Sequence, residues 1–507
     1  MEQNYKKKII FWLSADLTHF CLANYLQKKG NFDFFAIYDV TNKPRKFFET
    51  QTLVNFKQIW FYHDYVLPDK KYDFKKIDHY EKKFDLNIKQ LIENDRFFND
   101  YNDFYKFSKD EILSIIEKEF TFFESVLDEK PDFFITSETY LRAHHVFFLM
   151  CKKLGIKIIM LNHSNWGDYY FLSNNYRLLS NFKKIFQETM IHDTSFLELQ
   201  TRLEQMKISK KLSKFYESKN SLSERIKAGV NLLLHSDDSL IKTHYTYFGR
   251  TKIKILKSEF FFIFKKFFRE KFINKNFSLN IKNDRPFIYF PLQQEPERSL
   301  LLSAPDFSDQ INNIQLILEN LPENYLLYVK EHPTQGPGRG WRSIDKYRKI
   351  LSFKKLKLIH PSVDSSELIK NSKLVISISG STVFEAAFFN KPSMTFVESD
   401  FSLIPSISKF NSSLPLKQQI IESIEKKPNP GLITNYIDII EKKSFIFEHN
   451  KFEIDYGKTF YFDSNLVDVE ISEDKMKKFL FEQKEILENL ANHYLIYMKN
   501  HDDAKHV

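Results

Sequence analysis

Residues 131–161 read as a strand, a helix and a second strand in close succession. The apolar run Phe133–Thr136 predicts a buried strand, and Thr139–Lys153 has the apolar spacing of a helix. Gly155 ends that helix, and Ile156–Leu161 is the next apolar run. A helix between two short apolar strands is typical of a right-handed crossover in a parallel sheet. This unit therefore predicts a parallel α/β fold for its part of the chain.

The same alternation of strands and helices occurs in both halves of the 507-residue chain. Further strands are predicted at Lys8–Leu13, Phe34–Tyr38, Gln58–Tyr62, Phe287–Pro291, Tyr325–Lys330, Leu356–Ile359, Lys373–Ser379 and Ser393–Val397. Each half has about the size of a Rossmann-like unit, and the chain is too long for one ordinary domain. We therefore expect two parallel-sheet domains that face each other across a cleft, with ligands at the carboxyl ends of the strands.

The predicted boundary between the two halves is a basic and aromatic stretch, Lys257–Phe277. We predict a first domain with helical insertions over 1–255, a connecting segment over 256–282, a second domain over 283–410 and a helical tail over 411–507, with its strongest helix at Ile471–Lys499. Lys257–Phe277 is interpreted as an amphipathic helix packed on its own domain, with a membrane or nucleic-acid face as the alternative.

Composition and missing motifs exclude several classes of protein. Two cysteines cannot form a disulfide framework or a four-cysteine metal site, and a net charge of +9 permits an anionic partner without requiring one. The chain shows no P-loop, GxGxxG, HExxH or GxSxG pattern, which disfavours hydride transfer and serine hydrolysis. The sequence predicts no signal peptide and no membrane-spanning helix, so we expect a cytoplasmic protein.

The segment Ser377–Glu385 is the most informative motif. A predicted strand leads into Gly380, and a helix begins immediately afterwards. The backbone N–H groups at that helix start, together with the hydroxyls of Ser381 and Thr382, suit a phosphate, and Glu385 suits ribose hydroxyls. The alternative is a capping box between Thr382 and Glu385, which would stabilise the helix without any ligand.

Two further motifs follow predicted strands of the second half. His332, in Lys330-Glu-His-Pro333, can bind a phosphate or a base. Arg339 and Arg342 lie in the glycine-rich segment behind it and suit a phosphate or a carboxylate, and this segment is interpreted as a lid or a solvated turn. Gln294 and Glu297 follow the strand Phe287–Pro291. Parallel strands end at one edge, so these side chains are expected to line the same site as Ser381.

In the first half, the matching strand ends carry Asp16 and His19, Glu138 and Arg142, and His163 and Asp168. A transferase base should come from this wall of the cleft. We favour Asp16, because it directly follows the first strand, place Glu138 second, and keep His19, His163 and Asp168 as further candidates. The alternative for Asp16 is a structural cap of the following helix.

The three second-half motifs, YFPLQQEPERS, VKEHP and SISGSTVFEAAFFNKP, resemble the bacterial capsule polysaccharide biosynthesis and export family, which includes Kdo transferases. The resemblance implies a GT-B architecture and places His332 at a CMP moiety, Ser381 and Thr382 at its phosphate and Glu385 at the ribose. It implies a metal-independent, inverting glycosyltransferase that uses a nucleotide-sugar co-substrate, a CMP-sugar such as CMP-Kdo or CMP-sialic acid, and no other cofactor.

The expected partners are the nucleotide-sugar donor and a glycan or glycolipid acceptor, not a nucleic acid. Contact with the inner face of the inner membrane is left open. Two alternatives to the transferase remain at this point: a non-catalytic glycan-binding or export-coupling protein, and an enzyme similar to the UDP-sugar epimerases.

Overall fold

The framework of the protein is two α/β units, seen in a computed structural model that describes residues 6–99, 103–206, 222–282 and 284–503. The strands, in chain order, are β1 (Lys7–Ser14), β2 (Phe32–Asp39), β3 (Phe56–Phe61), β4 (Phe133–Ser137), β5 (Lys157–His163), β6 (Tyr169–Ser173), β7 (Phe287–Pro291), β8 (Leu326–Lys330), β9 (Leu356–Ile359), β10 (Leu374–Ser377), β11 (Ser393–Thr395), β12 (Ile407–Lys409) and β13 (Phe445–Ile446).

The α-helices of the first half are Thr18–Lys29, Asn42–Thr50, Tyr62–Tyr65, Phe74–Phe84, Ile88–Glu93, Lys109–Leu127, Arg142–Lys153, Phe182–Glu188, Phe196–Met206, Leu222–His235, Leu240–Thr243 and Lys252–Asn276. Those of the second half are Arg298–Leu301, Gln310–Glu319, Gln335–Arg339, Ile344–Leu351, Ser365–Asn371, Thr382–Phe388, Leu416–Ile424, Pro430–Lys443, His449–Phe460, Glu473–Glu482 and Lys484–Asp503. Among the described helices we find no candidate for a membrane-spanning segment.

The first sheet has the strand order β13-β6-β5-β4-β1-β2-β3. Strands β1 to β5 pair in parallel, whereas β6 and β13 are antiparallel to their neighbours. The apolar run of β1 explains its central place, because successive residues of a strand point to opposite faces. Phe11 and Leu13 pack into the hydrophobic cluster on one face, and Ile10 and Trp12 into the cluster on the other.

The second sheet has the order β12-β11-β10-β7-β8-β9, and every described pair in it is parallel. Its central strand β7 is also buried on both faces: Phe287 and Tyr289 face one cluster, and Ile288 and Phe290 the other. The predicted fold class, two Rossmann-like parallel-sheet domains with helical insertions and a helical tail, is confirmed.

The tail returns to the first domain. Strand β13 joins the first sheet beside β6, and the helix Lys484–Asp503 packs on the helix Thr18–Lys29. The Tyr25 hydroxyl donates to the Leu480 carbonyl at 2.6 Å. The prediction of one helix over Ile471–Lys499 was wrong, because the chain breaks at Gln483 between two helices. The predicted domain boundaries stay predictions.

Buried contacts join the two domains. The Arg298 guanidinium of the second domain donates to the carbonyl of Thr139 at 2.5 Å and to its hydroxyl at 3.2 Å. The backbone N–H of Leu179 donates to the Asp400 carboxylate at 2.6 Å. These contacts hold the carboxyl ends of the two sheets toward each other, so the loops that follow the strands form the walls of a cleft.

Candidate active site

Two adjoining cavities occupy the cleft between the domains. The first cavity has a volume of about 430 Å³ and the second about 340 Å³. They share five lining residues: Glu138, Tyr140, Asn165, Arg177 and Ser381. Because these shared side chains come from both domains, the two cavities form one continuous site.

The structure brings all ten predicted site residues to the walls of these cavities. The first cavity is lined by Asp16, His19, Glu138, Ser381 and Glu385. The second is lined by Glu138, Gln294, Glu297, His332, Arg339, Ser381 and Thr382. Placement in a shared cleft agrees with the expectation from the strand ends, whereas the roles of the individual residues stay predictions.

The turn between β10 and the helix Thr382–Phe388 is held from within the second domain. The N–H of Gly380 donates to Ser377 Oγ at 3.1 Å. With its amide oxygen toward the turn, Gln293 accepts the N–H groups of Ser379 and Gly380, each at 2.9 Å. The residue that caps the helix is Ser381, and no side-chain hydrogen bond caps it. The capping box considered from the sequence is therefore not what shapes this turn.

His332 is held in one tautomer. Its Nδ1 accepts the backbone N–H of Thr334 at 3.3 Å and lies 2.8 Å from the Thr334 hydroxyl. The ring proton then belongs on Nε2. Burial lowers the pKa of His332, so the ring is neutral at neutral pH. A neutral imidazole with Nε2–H is a donor for a phosphate or a base carbonyl at the wall of the second cavity.

The motif around His332 is anchored by a buried ion-pair network. Arg342 pairs with Glu331 at 2.8 Å and with Glu295 at 2.5 Å, and donates to the Gln293 carbonyl at 2.6 Å. The Tyr347 hydroxyl also donates to Glu331, at 2.8 Å. The sequence suggested Arg342 as a phosphate or carboxylate ligand, which is wrong because its guanidinium is committed to these partners. Its function is to hold the strand end in place.

The glycine-rich segment behind His332 is a short helix and not an irregular turn. It forms the helix Gln335–Arg339, which Gly340 ends at a φ of +67°. A Cβ at Gly336 would overlap the ring of Trp341, so only glycine fits beneath that indole. The helix places Arg339 in the wall of the second cavity.

Asp16 is not the cap of the following helix, because the capping position of Thr18–Lys29 is Leu17 and carries no side-chain hydrogen bond. Asp16 lies one residue earlier, where its Oδ1 accepts the backbone N–H of Thr18 at 2.9 Å and the Thr18 hydroxyl at 2.6 Å. Asp16 also lines the first cavity. Within the described residues its hydrogen bonds reach Oδ1, which leaves Oδ2 for a ligand.

Glu138 is paired with Arg177, a residue that the sequence analysis missed. Arg177 Nε lies 3.2 Å from Glu138 Oε1, and a second guanidinium nitrogen lies 3.4 Å from Oε2. A carboxylate that accepts two hydrogen bonds from one guanidinium has fewer lone pairs left for a substrate proton. Among the first-domain carboxylates at the cavity, Asp16 is therefore the better candidate for a base.

The two histidines on this wall are poorly suited to be the base. Burial lowers the pKa of His19 to about 4, and its Nε2 lies 3.1 Å from the Tyr494 hydroxyl. His163 uses both ring nitrogens: Nδ1 accepts the N–H of Asn165, and Nε2 donates to the Gly167 carbonyl. Both rings support the site rather than exchange a proton with a substrate.

Other residues that the sequence analysis did not single out complete the walls. The Arg298 guanidinium stacks 3.4 Å from the ring centroid of Tyr176, and both line the second cavity. The tail contributes His449, Asn450 and Glu453 to the first cavity. Within the described part of the chain, no cluster of three or more histidine, cysteine or acidic side chains has the arrangement to hold a metal ion.

The family comparison finds a match to the model described as capsule polysaccharide biosynthesis protein, over residues 193–408. The matched range contains all three second-half motifs and the second-domain wall of the cleft. The resemblance to that family is confirmed. No protein with a curated description matches the sequence significantly.

Solved structures of two kinds are similar to this chain. A β-Kdo 2,4-transferase, KpsC of Thermosulfurimonas dismutans, is 10% identical with a TM-score of 0.31, covering 61% of this chain and 79% of its own. The β-Kdo 2,7-transferase of the same KpsC is 12% identical with a TM-score of 0.27, covering 73% and 97%. A UDP-GlcNAc 2-epimerase of Methanocaldococcus jannaschii, in complex with UDP-GlcNAc and UDP, is 16% identical with a TM-score of 0.24, covering 86% and 99%. At these scores the similarities carry no argument about activity.

Proposed function

We propose that this protein is a glycosyltransferase of bacterial surface polysaccharide biosynthesis, of the capsule or lipopolysaccharide type. The observation that carries the proposal is the continuous cleft that joins the turn at Ser381 to the first-domain carboxylates Asp16 and Glu138. A transferase needs a donor site and a base on opposite walls of one site. The match to the capsule biosynthesis family supports the same assignment.

The donor we propose is a CMP-sugar, which is bound by the second domain. The N–H groups and hydroxyls of Ser381 and Thr382 would receive its phosphate, and Glu385 its ribose. His332 would donate from Nε2 to the nucleotide. These contacts place the bond between sugar and phosphate near the shared wall of the two cavities, so the acceptor occupies the first cavity.

In the proposed reaction an acceptor hydroxyl attacks the anomeric carbon while the bond to the donor phosphate breaks, with inversion. Asp16 Oδ2 takes the hydroxyl proton, and the electron pair of the broken bond stays on the phosphate oxygen. Donors at the turn and at His332 and Arg339 stabilise the charge that develops there. No step in this scheme requires a metal ion. Cytoplasmic location and a glycan or glycolipid acceptor belong to the same proposal.

A thermal-shift panel of CMP, CDP, UMP, UDP and GDP tests the donor assignment. A ligand at about a hundredfold excess over its Kd raises the free energy of unfolding by about 2.7 kcal/mol. We expect CMP to raise the melting temperature in the wild type but not in Ser381→Ala/Thr382→Val. A shift with UDP and none with CMP would favour an epimerase-like enzyme, whereas no shift with any nucleotide would favour the glycan-binding alternative.

The base is tested by Asp16→Asn, with Glu138→Gln as the matched variant on the same wall. We expect Asp16→Asn to keep CMP binding and to lower turnover of a CMP-sugar by about 10²–10⁴-fold, the usual contribution of a general base. The asparagine Oδ1 can still accept from Thr18, so the helix start should be preserved. Near-normal turnover in Asp16→Asn together with its loss in Glu138→Gln would assign the base to Glu138 instead.

A further inference from the structure

Two helices outside the sheets form an antiparallel pair. The helix Leu222–His235 lies against the helix Lys252–Asn276. Lys252 Nζ donates to the Leu233 carbonyl at 3.4 Å near one end of the pair, and Arg225 forms an ion pair with Glu259 at 2.6 Å farther along. We refer to these two helices as the helical pair.

The inner side of the helical pair is fixed to the second domain. The ring of Phe262 packs beside Gly340, within 3 Å of where a Cβ would lie. Arg269 donates to the carbonyls of Gly340 and Trp341 at 3.0 and 2.8 Å, and Glu270 accepts the indole N–H of Trp341. The pair is thus attached directly behind the short helix that carries Arg339, at the wall of the second cavity.

The outer side is apolar and exposed. In the 25-residue helix Lys252–Asn276, Ile273 is the single buried residue. Phe260 is 67% exposed, and Phe264 and Phe267 are 56% exposed. Further large apolar side chains exposed on the pair are Ile226, Val230, Leu233, Leu234, Ile253, Phe261, Ile263 and Phe268. An exposed apolar surface of this extent is typical of a binding face.

The same helix is strongly basic. It carries eight lysine and arginine residues and two glutamates, a net charge of +6 out of +9 for the whole chain. Both glutamates are paired: Glu259 with Arg225, and Glu270 with Lys266 at 3.7 Å. The apolar side chains are therefore surrounded by positive charge, which selects an anionic partner.

We propose that the outer face of the helical pair docks on a lipid bilayer that contains anionic lipids. Phenylalanine and aliphatic side chains bury their area at the boundary between headgroups and acyl chains, while lysines contact lipid phosphates. A second copy of the chain would place two helices of net charge +6 against each other, and their repulsion would oppose the contact. A nucleic acid would leave Ile226, Val230 and Leu234 without an apolar partner. The bilayer is the partner that satisfies both features, independently of the chemistry in the cleft.

Vesicle flotation with the full chain tests this proposal. We expect the protein to float with vesicles of phosphatidylcholine and phosphatidylglycerol and to bind pure phosphatidylcholine vesicles much more weakly. Added salt should reduce binding, since screening weakens the attraction of lysines to the surface. The triple variant Phe260→Ser/Phe264→Ser/Phe267→Ser should lower the partition coefficient between water and vesicles at least tenfold. Reversing the charge of one lysine, as in Lys265→Glu, should lower it about fivefold or more.

The matched control is Phe74→Ser/Phe481→Ser, because these phenylalanines are 64% and 78% exposed on other parts of the surface. This control should bind vesicles like the wild type. As a second measurement, Phe264→Trp should give indole fluorescence that brominated lipids quench, above the signal of the four native tryptophans. Equal loss in both phenylalanine variants, or no quenching, would overturn the proposal. So would binding to single-stranded nucleic acid or self-association in place of binding to vesicles.

Discussion

Replacing Arg342 by methionine should destabilise the second domain more than any surface change, because it leaves buried charge without its partner. Glu331 is 1% exposed and receives two hydrogen bonds from the Arg342 guanidinium, at 2.8 and 3.1 Å. In the variant Glu331 keeps the Tyr347 hydroxyl and the N–H of His332. Removing one partner of a buried ion pair costs about 3–5 kcal/mol. For a domain of this size, that free energy lowers the melting temperature by roughly 10 °C.

Calorimetry of the wild type, Arg342→Met, Glu331→Gln and the double variant measures this effect as a cycle. We expect the double variant to be more stable than Arg342→Met, because a neutral glutamine removes the unpaired charge. Arg342→Lys should be intermediate, since an ammonium group cannot reproduce the bidentate geometry. A loss below about 1 kcal/mol in Arg342→Met, or no recovery in the double variant, would refute the reasoning.

The stability lost in Arg342→Met should depend on pH, and the ion pair with Glu295 determines the direction of that dependence. Burial raises the pKa of Glu295, but Arg342 and Lys346 lower it by more, and the result is a pKa below the usual value. A lowered carboxyl pKa stabilises the fold above the unfolded pKa, and this contribution is lost as the pH falls. The difference in stability between the wild type and Arg342→Met should therefore shrink below about pH 4.

Three further predictions concern other parts of the molecule. Gly336→Ala should cost about 1–3 kcal/mol because its Cβ would overlap the Trp341 ring, whereas Gly338→Ala, with its nearest atom at 3.5 Å, should be neutral in the same melting assay. Burial raises the pKa of Asp400 to about 7. Raising the pH from 4 to 7 should therefore lower the stability of the wild type relative to Asp400→Asn, by at most about 4 kcal/mol. Parallel profiles of stability against pH for the two proteins would contradict this. Turnover should persist in EDTA, because protein donors stabilise the leaving phosphate, and rescue by magnesium after its loss would show otherwise.

The parts of the fold that depend on local pattern could be predicted from the sequence. Strands such as β1 and β7 are continuous apolar runs because both of their faces are buried, and such runs are visible without any partner. Strands β6, β12 and β13 were missed. β12 and β13 are only three and two residues long, and β13 pairs with β6 across residues 170 and 445, a separation that no local pattern encodes.

The candidate site likewise contains residues that could be predicted from the sequence and residues that could not. Side chains that directly follow a strand, such as Asp16, Glu138 and His332, could be placed at the cleft because parallel strands end at a common edge. Arg177 could not, because it meets Glu138 from 39 residues away. His449 and Glu453 reach the first cavity only because the tail folds back on the first domain. The guanidinium of Arg342 is chemically suited to bind a phosphate, and only its ion pairs with Glu331 and Glu295 show that its role is structural.

The return of the tail has a mechanical consequence. The chain leaves the first sheet after β6 to form the second sheet, β7 to β12, and returns through the helix Pro430–Lys443 to β13 of the first sheet. Two connections therefore link the domains, so any change in the width of the cleft has to be accommodated in both of them at once. Widening the cleft would also break the buried hydrogen bonds from Arg298 to Thr139, which ties the width of the site to a contact outside both chain connections.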